Sequence, residues 1–344
     1  MGAERTLFLH VGTHKTGTTS IQELIALNEA RLDEMGVYVP RAGRPWGRPD
    51  ILGVGHHNVA WELLGHGSFA PQGGTFAELL EEIAARQAPS ALLSSEELQY
   101  LHARPDVLRS VAARAADYGY GVTVVLYLRQ QADYIQSIYS QAAKSGLAAD
   151  FAEFVARAIG LGSYGTAPVV LRFVYSELAD PFALAFGRTR LILRFYRSTD
   201  DTSTLLRDFV ETLGPGVSFD DLELPEALNV SPSIMHVLNG MYATVREREP
   251  SAPDPQQLVR QYFQSRDVLT FMEKLDAMLE SEVAAALERF SPDNRRVEAA
   301  YGLRIPFTDP TDLVPFGARR SEIVRKHRRL LALAARRWGI GGDG

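Results

Sequence analysis

Residues 9–20 read "LHVGTHKTGTTS", with Gly12 and Gly17 five positions apart and a lysine between them. A nucleotide-hydrolysing phosphate loop has the form G-x-x-x-x-G-K-[ST], its lysine directly after the second glycine. Here Thr18 holds that place and Lys15 lies two residues before Gly17. The apolar run "TLFLHV" (6–11) precedes the loop; Ile21, Leu24, Ile25, Leu32 and Met35 follow near helical spacing up to Gly36. Strand, glycine loop and helix in that order open a parallel α/β fold. Such a loop aims free backbone N–H groups at one point, reinforced by the helix dipole, and Thr18, Thr19 and Ser20 add hydroxyls. An anion belongs there.

Working outward, "SALLS" (90–94), "GVTVVLYLR" (121–129) and "TRLILRFY" (189–196) read as further strands, each after a helical pattern. Continuous apolar runs of this kind suit strands buried on both faces. Residues 40–56 are rich in Pro, Gly and Arg and read as a loop, and from about residue 197 the pattern is nearly all helical. The expected fold class is α/β: a central parallel sheet flanked by helices, like that of P-loop-containing nucleoside triphosphate hydrolases, with a helical C-terminal portion.

Composition narrows the chemistry. The 344 residues are 46% hydrophobic, enough for a sizeable core, and contain no cysteine. That excludes a disulfide framework, a thiolate metal site and a thiol nucleophile. There is no secretory pattern at the start and no apolar run of about 18 residues, so the expectation is a soluble, cytoplasmic protein. The net charge of −6 is uneven, because residues 317–338 hold eight Arg/Lys against one acidic residue. A cationic helix there would contact an acidic polymer or an anionic membrane surface, or simply lie solvated with its leucines packed.

The displaced lysine separates two kinds of anion chemistry. Phosphoryl transfer from a nucleoside triphosphate uses Mg²⁺ held by the loop hydroxyl and an acidic residue at a strand end. No strand here ends in a clear apolar-run-then-Asp signature, and "LLSSEE" (92–97) is an imperfect candidate. Sulfuryl transfer involves less charge and proceeds with protein cations alone, a lysine steadying the leaving phosphate. "HKTGTTS" (14–20) resembles the 5′-phosphosulfate loop of sulfotransferases that use 3′-phosphoadenosine 5′-phosphosulfate (PAPS). The resemblance implies that Lys15 contacts the transferring group and that loop amides at Gly17, Thr18 and Thr19 bind the 5′-phosphate. His14 and Thr16 complete the cradle, and His14 either reaches the sulfuryl group or fills space.

The family's second signature is a strand-end arginine with a serine eight residues later on the next helix. "VVLYLRQQADYIQSIYSQ" supplies Arg129 and Ser137. A guanidinium fork and a hydroxyl suit the donor's 3′-phosphate. In "LILRFYRSTD" the strand ends at Tyr196, placed either to stack on adenine or to fill the core. Ser20 stands where the cytosolic branch of the family has an adenine-stacking tryptophan, so the loop is closer to the carbohydrate-modifying and bacterial branches. The resemblance implies a single domain over 1–344, with 1–200 as the cofactor-binding core and 201–344 as the mostly helical remainder. It also implies PAPS as donor, adenosine 3′,5′-bisphosphate as product and no metal. In "RFSPDNRRVEAAYG", Asn294, Arg295 and Arg296 either clamp a phosphate or begin a solvated helix.

Transfer to an alcohol or amine needs a group to take the acceptor's proton. Related enzymes use a histidine or a glutamate near the end of the strand after the loop–helix unit. "ALLSSEELQYL" offers Glu96 and Glu97. Ser94 and Glu97 fit a capping box, which would occupy Glu97 and leave Glu96 as the candidate base. "GVGHHNVAWEL" supplies His56 and His57, of which His57 is assigned a supporting role; no third ligand at helical spacing accompanies them for zinc. The expected partner is a small-molecule, lipid or carbohydrate acceptor, with Arg41, Arg44 and Arg48 tilting towards an anionic one, and no nucleic acid. Two alternatives stand beside this reading: a small-molecule kinase or NTPase with a variant loop, and a non-catalytic nucleotide-binding interaction protein.

Overall fold

The computed structural model describes residues 5–45, 55–144, 151–166, 169–196, 202–225, 278 and 280–305. Its centre is a five-stranded, all-parallel sheet in the order β2-β3-β1-β4-β7. The strands are β1 (Arg5–Gly12), β2 (Val37–Tyr38), β3 (Ser90–Ser94), β4 (Tyr120–Arg129) and β7 (Leu191–Tyr196). A separate antiparallel pair, β5 (Ser163–Thr166) and β6 (Val169–Arg172), comes between the last two in sequence. The α/β architecture with a central parallel sheet is therefore as expected, and the four strand-like runs are all strands. The short edge strand β2 and the β5–β6 pair carry too few residues to show a period, and sequence patterning missed them.

The helices before the second half of the sheet are α1 (Thr18–Leu27), α2 (Glu29–Glu34), α3 (His57–Leu64), α4 (Phe76–Arg86) and α5 (Pro105–Asp117). The run expected as one helix up to Met35 is broken at Asn28, whose amide group bonds Leu24 O and Glu223 O, each at 2.8 Å. Later come α6 (Gln131–Lys144), α7 (Phe151–Leu161), α8 (Tyr175–Phe186), α9 (Thr202–Thr212) and a helix over Glu280–Tyr301.

Two compact units divide the chain. The first comprises Met1–Gln130, Ser163–Asn229 and Asp293–Pro306; the second comprises Gln131–Gly162, Val230–Pro292 and Phe307–Gly344. In the second, Tyr139 meets Phe151 and Phe154 edge-on at 4.9 and 5.2 Å between ring centres. Gln136 Oε1 accepts the Met278 N–H at 2.7 Å. In the first unit the period of two along each strand sorts side chains to opposite faces. Phe8, Leu92, Val125 and Tyr127 join Ile21, Leu24 and Ile25 of α1 and Leu205, Leu206, Phe209 and Val210 of α9 in one buried cluster. Leu7, Leu9, Val124 and Leu126 point to the other face, where α5 and α8 pack on β4.

Parallel pairing sets which ends meet. β1 runs in register with β3 from Thr6↔Ser90 to His10↔Ser94, and with β4 from Arg5↔Tyr120 to Gly12↔Tyr127. β4 pairs with β7 up to Arg129↔Tyr196. The carboxyl ends of four strands thus share one edge, where ligands of open α/β sheets bind. Among the described residues no helix is long and apolar enough to cross a membrane.

Phe209 is almost fully buried against the sheet, its ring centre 5.0 Å from that of His10. Truncating it to alanine should lower unfolding free energy by about 3–5 kcal/mol, read as an earlier urea midpoint.

Candidate functional site

The loop between β1 and α1 is tied to β4 by its backbone and by hydroxyls. Thr13 N and Thr13 Oγ1 both donate to Tyr127 O, at 3.4 and 3.0 Å, and Thr16 Oγ1 donates to Thr13 O at 2.6 Å. Arg129, at the end of β4, donates from Nη1 to the carbonyl of Lys15 at 2.7 Å. Its guanidinium carbon stands 5.4 Å from the centre of the Tyr196 ring. Lys15 adopts a left-handed backbone with φ of 67°, unusual for a residue with a side chain and of the sort that clusters at functional sites.

Both glycines are required by close approach. A Cβ on Gly12 would collide with Thr18 Oγ1 and come within 3.3 Å of Thr16 Oγ1 and 3.4 Å of His10 Nε2. Gly17 has φ of 76°, and a Cβ there would collide with Leu205 and lie 3.4 Å from the Tyr196 ring. Gly17 is the N-cap of α1, and no side chain caps that end of the helix. The Thr18 hydroxyl is buried without a hydrogen-bond partner, and so is Arg129 Nε. Leaving such donors unpaired costs about 1–3 kcal/mol each, a cost that an acceptor placed there would offset.

Next to the loop, β3 ends in a cluster of neutral histidines around one carboxylate. His56 Nδ1 accepts the Ser94 N–H at 3.2 Å, so its proton sits on Nε2, which donates to Pro40 O at 3.0 Å. Burial pushes His56 down to about 3. His10 bonds Ser94 Oγ through Nδ1 at 2.8 Å and is pushed by burial down to about 4, against the opposing charge of Glu96. His57 Nδ1 meets Ser95 Oγ at 2.9 Å; burial lowers it and Glu96 opposes the shift. His14 Nε2 meets the Tyr100 hydroxyl at 2.7 Å. Surrounding protein lowers His14 most, Glu96 works the other way, and Lys15 and His57 lower it further.

The capping expectation is corrected here. Ser95, not Ser94, is the N-cap of the segment Glu96–Ala103, which is a 3₁₀ helix, and its Oγ accepts the Glu97 N–H at 3.2 Å. The Glu97 carboxyl is no cap. Burial first, then the charge of Glu96, raise it to about 7. Glu96 is the carboxylate whose charge acts on His10, His14 and His57, and its Oε2 accepts the Gln22 side-chain N–H at 3.3 Å.

Loop, Arg129 and Tyr196 meet at one edge of the sheet, and Glu96, His57 and His14 form the adjoining cluster. Ser137 is half-buried on α6, in the second unit. Asn294, Arg295 and Arg296 lie inside the helix Glu280–Tyr301 rather than at its start, and Arg296 pairs with Asp180 at 2.5 Å. Arg44 is held by Glu29 at 2.9 Å and by Pro40 O at 3.0 Å, Arg41 is exposed, and Arg48 lies outside the described residues. So does the basic stretch 317–338. Sequence reading overlooked Gln22, Tyr100, Ser95 and His10. Only His10 had a usable signal, a polar residue at the period of Phe8 on the buried face of β1. Among the described residues no group of three or more His, Asp or Glu is placed to hold a metal ion.

No protein-family model matches the chain, and neither does any curated protein. Among solved structures, the crystal structure of a sulfotransferase from Alicyclobacillus acidocaldarius is similar over 71% of this chain and 94% of that one. Identity is 18% and the TM-score 0.39. At that looseness no residue role passes from one chain to the other.

The buried histidines make stability pH-dependent. His10 and His56 stay neutral when folded but take protons in the unfolded chain below about 6.5. The unfolded state then binds more protons, so unfolding free energy should fall as pH drops from about 6.5 towards 4. Urea unfolding at a series of pH values reads this, and His56→Gln should flatten the slope in that window.

Proposed function

We propose that this chain is a sulfotransferase that moves a sulfuryl group from PAPS to a hydroxyl or amine of a small-molecule, lipid or carbohydrate acceptor. The observation that carries this is a pair of buried, unpartnered donors, Thr18 Oγ1 and Arg129 Nε, flanking a glycine loop whose lysine precedes the second glycine. The residues fit a donor that is anionic at both ends. Gly17, Thr18 and Thr19 offer the uncapped N–H groups of α1 to one phosphate, with the Thr18 hydroxyl beside them. Arg129 suits a second phosphate, because one of its N–H groups already fixes the loop while Nε remains unmatched. The Tyr196 ring beside the guanidinium offers a flat face to a base.

PAPS supplies, when bound, an activated sulfate whose departure leaves a phosphate. Lys15 is proposed to stabilise the negative charge that develops at that leaving oxygen. Glu96 takes the acceptor's proton, with one carboxylate oxygen committed to Gln22 and the other available. His57 supports it. Ser95 Oγ accepts the Glu97 N–H and pairs with His57 Nδ1, which fixes the imidazole ring beside the carboxylate. His14, locked to Tyr100, borders the same cluster.

Calorimetry with adenosine 3′,5′-bisphosphate in EDTA tests the donor site. Tight binding is expected, weakened about 10- to 100-fold by Arg129→Ala, in line with loss of a charged hydrogen-bonding group. Binding of Mg·ATP in preference to the bisphosphate would instead favour a kinase. Lys15→Ala should lower turnover of PAPS by about 10²–10³-fold while leaving bisphosphate binding largely intact. Undiminished turnover in that variant would remove the lysine from the mechanism.

A further inference from the structure

α1 buries Ile21, Leu24 and Ile25 against the sheet, and among them it buries Gln22, only 3% exposed. Burying an amide without partners is costly, so the partner it finds is informative. The other buried amide at the end of this helix, Asn28, bonds Leu24 O, Glu223 O and Glu223 N and closes backbone groups. Gln22 does something different. Its side-chain N–H reaches across 74 positions of sequence to Glu96 Oε2. Beside the same nitrogen lies Gly55, where an added Cβ would stand 3.2 Å from Gln22 Nε2 and collide with His57 Nε2. Gln22 Nε2 therefore reaches Glu96 beside the same glycine that His57 Nε2 borders.

The spacing along α1 gives this contact a role. Thr18 and Gln22 are four residues apart, on one face of the helix and about 6 Å along its axis. Thr18 presents its unpartnered hydroxyl at the loop, and Gln22 presents its amide to the carboxylate. We propose that Gln22 is a positioning residue: from the helix that begins at the anion loop, it fixes one oxygen of Glu96 and aims the other at the acceptor. This rests on the sulfotransferase reading only in what Glu96 does with its free oxygen. The fixing of Glu96 itself does not need that reading.

Four titratable groups feel Glu96 and must be counted in a titration: His10 from β1, His14 from the loop beside Lys15, His57 from α3 and Glu97, the next residue in the chain. His57 is the reporter of choice because Glu96 acts on it and its Nε2 borders the same glycine as Gln22 Nε2. The experiment compares wild type, Gln22→Met, which keeps the volume without the donor, and Gln22→Glu, which keeps the shape and adds a negative charge. NMR follows the His57 imidazole with pH, its signal assigned by loss in His57→Gln. The midpoint is expected to fall in Gln22→Met, as the Glu96 carboxylate swings away, and to rise in Gln22→Glu. Bisphosphate binding by calorimetry should stay within about threefold in both, since a side chain in the second turn of α1 is remote from the loop amides. Release of bisphosphate from PAPS, with water as surrogate acceptor, should lose about tenfold in kcat in Gln22→Met with KM for PAPS unchanged.

A His57 midpoint that is unmoved, or that moves the same way in both variants, overturns the proposal. So does loss of bisphosphate binding in both, which would make Gln22 part of the donor grip. If wild type neither binds the bisphosphate nor consumes PAPS while His57 still responds in opposite directions, the sulfotransferase reading fails and the Gln22–Glu96 coupling stands.

Discussion

The site depends on the parallel pairing of β1 with β3 on one side and β4 on the other. Parallel strands deliver their carboxyl ends to the same edge, so a loop after β1, an acid after β3 and an arginine at the end of β4 meet without any long-range design. The register makes the meeting specific. His10 opposite Ser94 allows the 2.8 Å contact between their side chains, and Gly12 opposite Tyr127 brings the loop under the β4 carbonyl that receives Thr13. A slip of one residue in either pairing would turn His10 and Tyr127 to the opposite face and dismantle both contacts.

Electrostatics at this edge are divided. On the loop side Lys15 and Arg129 are cationic, and the helix end adds its partial positive charge. On the β3 side burial keeps His10, His56 and His57 neutral, so none of them offsets the charge of Glu96, which acts on His10 and His57. Glu97, one residue on, is held by burial and by Glu96 at about 7, a value that lets it stay protonated over part of the neutral range. Two adjacent glutamates thus take different environments because a 3₁₀ turn sends neighbouring side chains about 120° apart.

Sequence made the sheet and the glycine loop legible for a physical reason. Both are local: apolar runs of four to eight residues mark buried strands, and a glycine loop between strand and helix needs no distant partner to be recognised. Glu96 was reachable by the same route, since it follows a strand end directly. What stayed hidden was contact between distant segments. Gln22 looks like any polar residue on an amphipathic helix until the fold buries it against Glu96, and Tyr100 gains meaning only beside His14. The capping expectation failed over one position. Ser94 and Ser95 are indistinguishable in sequence, but strand register turns Ser94 inward to His10 and leaves Ser95 to start the turn.

The same packing explains why the lysine is displaced. In a nucleotide-hydrolysing loop the residue after the second glycine carries the ammonium. In this chain that residue is Thr18, 6% exposed, its hydroxyl pressed against Gly12 with no space for even a methyl group between them. A lysine stem in that direction would collide with the start of the loop. Lys15 instead precedes Gly17, and its left-handed backbone turns its carbonyl to Arg129 Nη1. One residue thereby joins the loop's cation to the arginine at the neighbouring strand end. The Arg129 contact runs through the main-chain carbonyl of residue 15 and holds the loop whatever side chain stands there, so it is the packing of Thr18 on Gly12 that keeps a long stem out of position 18.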